Sequence, residues 1–146
     1  MLERGPVTEH LAFRLASETY GLPLLHVREI LTPPPITFVP RAPAEVLGII
    51  SVRGLLVTVL DLRVKLGVAA ESASKRTRIL LVPAPSGEMM GLWVDEVLQV
   101  YRLAEAEVEQ VSNVLGGNIA DYVTGIGRRD GVLLVLLSLT PLLSAT

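Results

Sequence analysis

The 146-residue sequence has no cysteine, two histidines and only 4% aromatic residues. Without cysteine there is no disulfide and no thiolate, as nucleophile or as zinc ligand, and a reducing compartment is compatible with that lack. The scarcity of aromatics leaves little surface for base stacking and requires an aliphatic core. An excess of positive charge is also missing. Thirteen Lys and Arg stand against fifteen Asp and Glu, for a net charge of -2, with the signs interspersed. Such a chain has no basic field to neutralise phosphates and no polybasic cluster for an anionic membrane. Long apolar runs are absent as well. The longest, residues 131–145, spans about 15 residues and is broken by Ser138, Thr140 and Pro141, whereas a spanning helix needs roughly 20. The stretch Val46–Leu60 is interrupted by Arg53 and Gly54, and MLERGPVTEH lacks a signal-peptide core. The expectation is a soluble, cytoplasmic protein with no membrane insertion.

What the sequence does have is aliphatic residues, and it has them twice in the same order. Residues 20–31, YGLPLLHVREIL, align with 90–101, MGLWVDEVLQVY: Gly21 meets Gly91, Leu22 meets Leu92 and Val27 meets Val97. Residues 48–62, GIISVRGLLVTVLDL, align with 125–139, GIGRRDGVLLVLLSL, where six of fifteen positions are identical. Each half also opens with a short apolar run, HLAFRL and RILLVPA. A shared block order with coincident glycines indicates two copies of one supersecondary unit.

Each unit reads as strand, turn, strand, connection, strand, tight turn, strand. His10–Leu15 and Tyr20–Leu25 form a hairpin with a four-residue loop. Val27–Leu31 is expected to make one helical turn with Val27, Ile30 and Leu31 on one face, stopped by Pro33–Pro34–Pro35. Val46–Val52 and Leu55–Leu62 are strands joined at Arg53–Gly54, and their nearly continuous apolar runs predict burial on both faces. A short helix is expected to begin near Asp61. Small polar residues 69–75 are the candidate linker between a subdomain at about 10–68 and one at about 77–140, with strand or terminal exchange allowed. In the second unit Thr77–Pro83 pairs with Met89–Val94. Val97–Arg102 is a strand or turn, and 105–114 is left undecided. Asp121–Arg128 and Val132–Leu139 form the last hairpin, and Pro141 is expected to open a C-terminal helical turn.

Reactive chemistry is sparse. His10 and His26 lack metal-ligand spacing, and no cysteine completes a zinc site. There is no G-x-S-x-G elbow and no phosphate loop. Asp95 and Glu96 point to opposite faces if they lie on a strand. Glu105, Glu107 and Glu109 read as a solvated acidic face, and Trp93 as core or lobe interface. The expectation is no enzyme, no metal and no cofactor. Three features remain. Arg53 is the only charge between Val46 and Leu60. It is either a hairpin-tip cation in water or one held for recognition or for a salt bridge. Glu29 lies between Val27 and Ile30, and a bridge to Arg53 would satisfy both. The third feature is the apolar set Val27, Ile30, Val97 and Val100, at equivalent points of the two copies. It is either ordinary core or the lining of an inter-lobe groove for an amphipathic helix.

These blocks together resemble the CheW coupling-protein family of bacterial chemosensory systems. The carriers are LAFRL…YGLPLLHVREIL, then P-x-x-P-A-E-V-L-G-I-I-S-V-R-G-L-L-V-T-V-L-D-L-R, then MGLWVDEVLQV and YVTGIGRRDGVLLVLLSL, from about His10 to Leu143. The resemblance implies a mostly-β fold of two packed SH3-like five-stranded barrels forming one domain over 10–143. It implies a non-catalytic adaptor without cofactor. Its partners would be the cytoplasmic hairpin tip of methyl-accepting receptors and the regulatory domain of a CheA-type histidine kinase. Carried onto this chain, the family's glutamate–arginine pair is Glu29 and Arg53. Its receptor-side positions are Val27, Gly48, Gly91, Val97 and Val100, with Ile30 beside them in the V-R-E-I block. The kinase side falls on barrel-end loops that the resemblance does not assign to residues. The sequence departs from the family at Ser51, where the usual amide before V-R-G is missing, at Arg128–Arg129–Asp130 and at Pro33–Pro34–Pro35. The alternatives are a scaffold of a gliding, pilus or developmental pathway, an SH3-like nucleic-acid-binding barrel, and an enzyme. The charge balance and the empty chemical inventory argue against the last two.

Overall fold

The computed structural model describes residues 6–111 and 121–144. In chain order the elements are β1 (Val7–Leu15), β2 (Glu18–Pro23), a 3-10 turn (Leu24–His26), β3 (Glu29–Leu31), β4 (Val46–Val52), β5 (Leu55–Asp61) and α1 (Leu62–Leu66). Then come β6 (Arg78–Pro83), β7 (Met89–Val94), β8 (Glu96–Ala104), a 3-10 turn (Glu105–Glu107), β9 (Val108–Gln110), β10 (Val123–Arg129), β11 (Val132–Leu137) and α2 (Leu139–Ser144).

The strands form two sheets, in the orders β8-β1-β2-β11-β10-β9 and β3-β6-β7-β5-β4. The first has six strands, one more than expected, because β9 adds an edge. In the second sheet the equivalent place is taken by a single bridge, Thr37 to Ile49. The sheets do not follow the division at residues 69–75. The β1–β2 hairpin of the first copy sits in the sheet of the second copy, and the β6–β7 hairpin of the second copy sits in the sheet of the first. Each guest hairpin docks by a parallel pairing, Tyr20 and Gly21 with Val135 and Leu136, and Met90 and Gly91 with Thr58 and Val59. The repeat is therefore visible in register as well as in sequence.

Its bulges also match. Pairing shifts between Val46 and Gly48 and again between Val123 and Gly125. At Gly48, φ is +154°, and a Cβ would collide with the Thr37 carbonyl and with Ile36. Glycine thus lets residue 37 pair at the bulge. The two hairpin tips match too: Arg53 and Gly54 have φ of 48° and 86°, and Asp130 and Gly131 have 55° and 78°. Positive φ at both central residues is the geometry that suits the twist of a two-residue hairpin.

Alternation along the strands sorts side chains into three clusters. Among the described residues, Ile50, Val52, Val57, Val59, Ile79 and Leu81 fill the second sheet, and Ala12, Tyr101, Leu103, Leu134 and Leu136 fill the first. The largest cluster lies between the sheets: β1 and β2 supply Leu11, Phe13, Leu15, Tyr20 and Leu22, while β6 and β7 supply Leu80, Val82, Met90, Leu92 and Val94. α2 closes this core with Leu139, Leu142 and Leu143. The exchanged hairpins thus bury both faces, so neither sheet has a complete core without the other.

Several local expectations change. Burial on both faces belongs to β6, to β7 and to residues 10–13 of β1; the β4–β5 tip is open, with Leu55 and Leu56 exposed. The reason is that the hairpin tip runs past its neighbour: β5 pairs with β7 only from Thr58 onward, so residues 55–57 have no strand on that side. The helical turn sits at 24–26, and Glu29–Leu31 is extended because it pairs with β6. Leu31 therefore packs into the second-sheet core while Ile30 points the other way and is exposed. The first hairpin closes through two residues, Ala16 and Ser17, with Ala16 at φ 54°. Pro141 is the third residue of α2 rather than its first. Of the undecided stretch 105–114, residues 112–114 lie outside the described residues.

A candidate partner-binding groove

The site starts from two edge strands. β3 ends one sheet and β8 ends the other. On β3, Ile30 lies opposite Leu80; on β8, Val100 lies opposite Leu11 and Val97 opposite Phe13. Directly paired residues share a face. Leu80, Leu11 and Phe13 belong to the inter-sheet core, so Ile30, Val97 and Val100 lie on the inter-sheet side of their strands. Val27 and Val97 pack partly against that core, whereas Ile30, Val100 and Leu98 remain exposed. Leu98 was not singled out from the sequence. Its counterpart in the first copy is Arg28, so the alignment alone marked it as ordinary variation.

Glu29 and Arg53 meet at the end of the second sheet. The Arg53 guanidinium donates from Nη2 to Glu29 Oε1 at 2.6 Å and from Nη1 to Oε2 at 3.1 Å, a two-pronged pair. Both side chains reach water, at 69% and 36% relative exposure. The hydrogen bonds from Arg53 hold the Glu29 carboxyl below its ordinary pKa, and Glu29 raises that of Arg53. Gly48 and Gly91 are not at an accessible surface. Both are buried, and a Cβ on Gly91 would meet Ile79 Cγ2 at 2.8 Å and Val59 Cγ2 at 3.3 Å. They shape the second sheet from within and present no side for direct contact.

A second charged cluster was not anticipated. Arg63 donates from Nε and Nη2 to Asp61 at 2.9 and 3.1 Å, and from Nη1 to Asp95 Oδ1 at 3.1 Å. Its Nη1 also reaches the carbonyl of Glu71, and the guanidinium lies 6.0 Å from the Trp93 ring centre. The three side chains are only 7%, 9% and 3% exposed for Arg63, Asp61 and Asp95. Asp61 also caps α1 by accepting from the Arg63 amide at 3.0 Å. Asp95 is not on a strand; it is the one-residue step from β7 to β8, so the expected opposition of Asp95 and Glu96 across a strand does not apply. The only sequence trace of this cluster was D-L-R, which reads as the start of a helix.

Near it, Arg14 pairs with Glu96 at 3.0 Å and with Glu71 at 3.1 Å, tying the 69–75 segment to β1 and β8. The acidic residues of 105–109 are not simply solvated. Glu107 pairs with Arg129 at 3.2 Å and Glu109 with Arg128 at 3.4 Å. Among the described residues no group of three His, Asp or Glu is arranged to hold a metal. His10 is buried, and burial lowers its pKa. Also among them, no helix is long and apolar enough to cross a membrane.

Comparison with known proteins bears on these features. The family model described as CheW-like domain matches residues 9–146. A chemotaxis protein CheW of Helicobacter pylori is 30% identical over 94% of this chain and 82% of its own length. A protein named FrzA of Myxococcus xanthus is 30% identical over 86% of this chain and 78% of its own. The crystal structure of a scaffolding protein, TtCheW from Thermoanaerobacter tengcongensis, superposes with a TM-score of 0.87 at 31% identity, covering 97% of this chain and 95% of that one.

Proposed function

Because the chain belongs to the CheW-like domain family, we propose that it is a non-catalytic cytoplasmic adaptor that couples methyl-accepting chemoreceptors to a CheA-type histidine kinase. The observation that carries this reading is the pair of edge strands, β3 and β8, with equivalent apolar residues on the side facing the inter-sheet core. Two such walls with exposed Ile30 and Val100 suit the apolar face of a helix from a receptor hairpin tip. The regulatory domain of the kinase would meet loops at the sheet ends. No cofactor and no nucleic acid enter the reading, which fits a net charge of -2.

The test is co-sedimentation of the chain with a receptor cytoplasmic hairpin and the kinase regulatory domain. A three-component complex is expected. Its absence at protein concentrations well above micromolar would sink the proposal.

A further inference from the structure

The proposed helix site has two walls, β3 and β8, and each is held by an arginine that flanks β5. Arg53, two residues before the strand, grips Glu29 of β3. Arg63, two residues after it, grips Asp95, the single residue through which the chain leaves the second sheet and enters β8 of the first. Both carboxylate oxygens and the amide of Asp95 are engaged. Its Oδ1 accepts from Arg63 Nη1 at 3.1 Å, and its Oδ2 accepts from the Ala16 amide at 2.7 Å. Its own amide donates to the Arg14 carbonyl at 3.0 Å. Two of these partners lie at the β1–β2 turn of the first sheet. The third is anchored by Asp61 at the end of a second-sheet strand, so Asp95 is clasped from both sheets. One residue later Arg14 Nε takes Glu96 Oε1 at 3.0 Å, and Val97 then falls opposite Phe13. Between Leu11 and Phe13 the β1–β8 pairing slips, so the two pairs at the start of β8, Glu96 with Arg14 and Val97 with Phe13, are set off from the rest of the ladder.

The repeat shows that this clasp is an addition to the fold and not a requirement of it. At the equivalent junction of the other copy, Leu25, Ser138 and Thr140 stand where Asp95, Asp61 and Arg63 stand here. That junction carries no buried ion pair among the described residues. It is a cleft of about 350 Å³ lined in part by Ser138, Thr140 and His26. The crossover strand on that side is β3, whose clamp is the exposed Glu29–Arg53 pair instead.

We propose that Arg63 is a positioning residue for the groove: through Asp95 it sets where β8 begins and so where Val97 and Val100 stand relative to the β3 wall. This rests on the reading of the groove as a helix-binding site. Arg63→Met alone strands two buried carboxylates and can unfold the chain. The decisive variant is therefore the neutral triple Asp61→Asn, Arg63→Met, Asp95→Asn, which removes the clasp without leaving buried charge. Arg63→Lys keeps the charge but loses the fork. Amide hydrogen exchange on the full chain is the first readout. Exchange at residues 97–100 is expected to quicken by about ten-fold in the triple variant, while residues 133–136 of the same sheet keep their protection. The second readout is affinity for a receptor hairpin peptide, expected to fall about ten-fold in the triple variant and less in Arg63→Lys. Unchanged exchange at 97–100 overturns the proposal, as does a uniform loss across the sheet, which is a purely structural role. A local loss with unchanged hairpin affinity overturns the link to the groove. If the unmodified chain binds no hairpin at all, the functional reading fails, and the exchange experiment still decides what Arg63 holds.

Discussion

β5 has an arginine beyond each end, and the two stand in opposite surroundings. Arg53 sits at a hairpin tip in water and pairs with one carboxylate that is also wet. Arg63 is buried with two carboxylates, a carbonyl and an indole ring. The chemistry is the same fork on an acid, but its energetic meaning differs. In water the pair gains little over its hydrated parts, so its value lies in geometry. Out of water, each charge depends on the others, and loss of one leaves a large desolvation penalty. The exposed pair can lose either partner at little cost to the fold, whereas the buried cluster can be neutralised as a whole but cannot lose its arginine alone without a large cost.

The largest expected effect comes from breaking the buried side of that comparison. Arg63→Met should destabilise the chain by about 3–5 kcal/mol, read as a lower midpoint in urea unfolding, whereas the neutral triple variant should recover most of that loss. Next comes the proposed helix site. Ile30→Glu or Val100→Glu places a carboxylate on an exposed apolar wall. It should reduce receptor-hairpin binding by at least about ten-fold at nearly unchanged unfolding midpoint, since surface changes usually cost under about 0.5 kcal/mol. Calorimetry with the hairpin and a urea titration check the two halves.

Arg53→Gly sharpens the exposed side. Arg53 has φ 48°, a region that glycine tolerates better than any side chain. The midpoint should therefore hold or rise while receptor coupling weakens. A drop in stability matching the loss of coupling would mean that the tip is a structural element.

The smallest effects are in pH. Arginine does not titrate in the working range, but two partners of the fold do. His10 has its pKa lowered by burial. The unfolded chain takes up a proton near pH 6.5 while the folded chain resists it. Stability should thus decline as pH falls below about 6.5, until the lowered folded value is reached, and His10→Leu should flatten that slope. Glu29 behaves as a depressed carboxyl. Its small contribution is present above the unfolded carboxylate pKa and fades as pH falls through the lower folded one. Arg53→Gly should remove only this second, more acidic component of a stability-versus-pH curve.

The two arginines also show how far the sequence could be read. Arg53 stood out because it is one charge in fifteen apolar or small residues, with Gly54 marking a turn. Arg63 did not, because D-L-R at a strand end is ordinary helix-start sequence and its partner Asp95 is 32 residues away. The repeat was legible because glycines at bulges and turns answer to local backbone demands: Gly48 and Gly125 sit at matched bulges, and Gly54 and Gly131 at matched tips. The assignment of faces was less so. Val27, Ile30 and Leu31 suit a helical turn by spacing, yet pairing of Glu29–Leu31 with β6 makes the segment extended and sends Ile30 and Leu31 to opposite sides.

By itself the sequence determined the aliphatic, mostly-β character, the two copies and the positions of their tight turns. All three follow from side-chain alternation and from backbone positions that favour glycine. Only the tertiary structure decided that the copies exchange their first hairpins. A hairpin's own pattern says that it has two apolar faces to bury but not against which sheet. That exchange created the inter-sheet core, set β3 and β8 each at one edge of a sheet beside a guest hairpin, and brought Asp95 to Arg63. Local sequence supplied the clamps, and the exchange gave each a wall to hold.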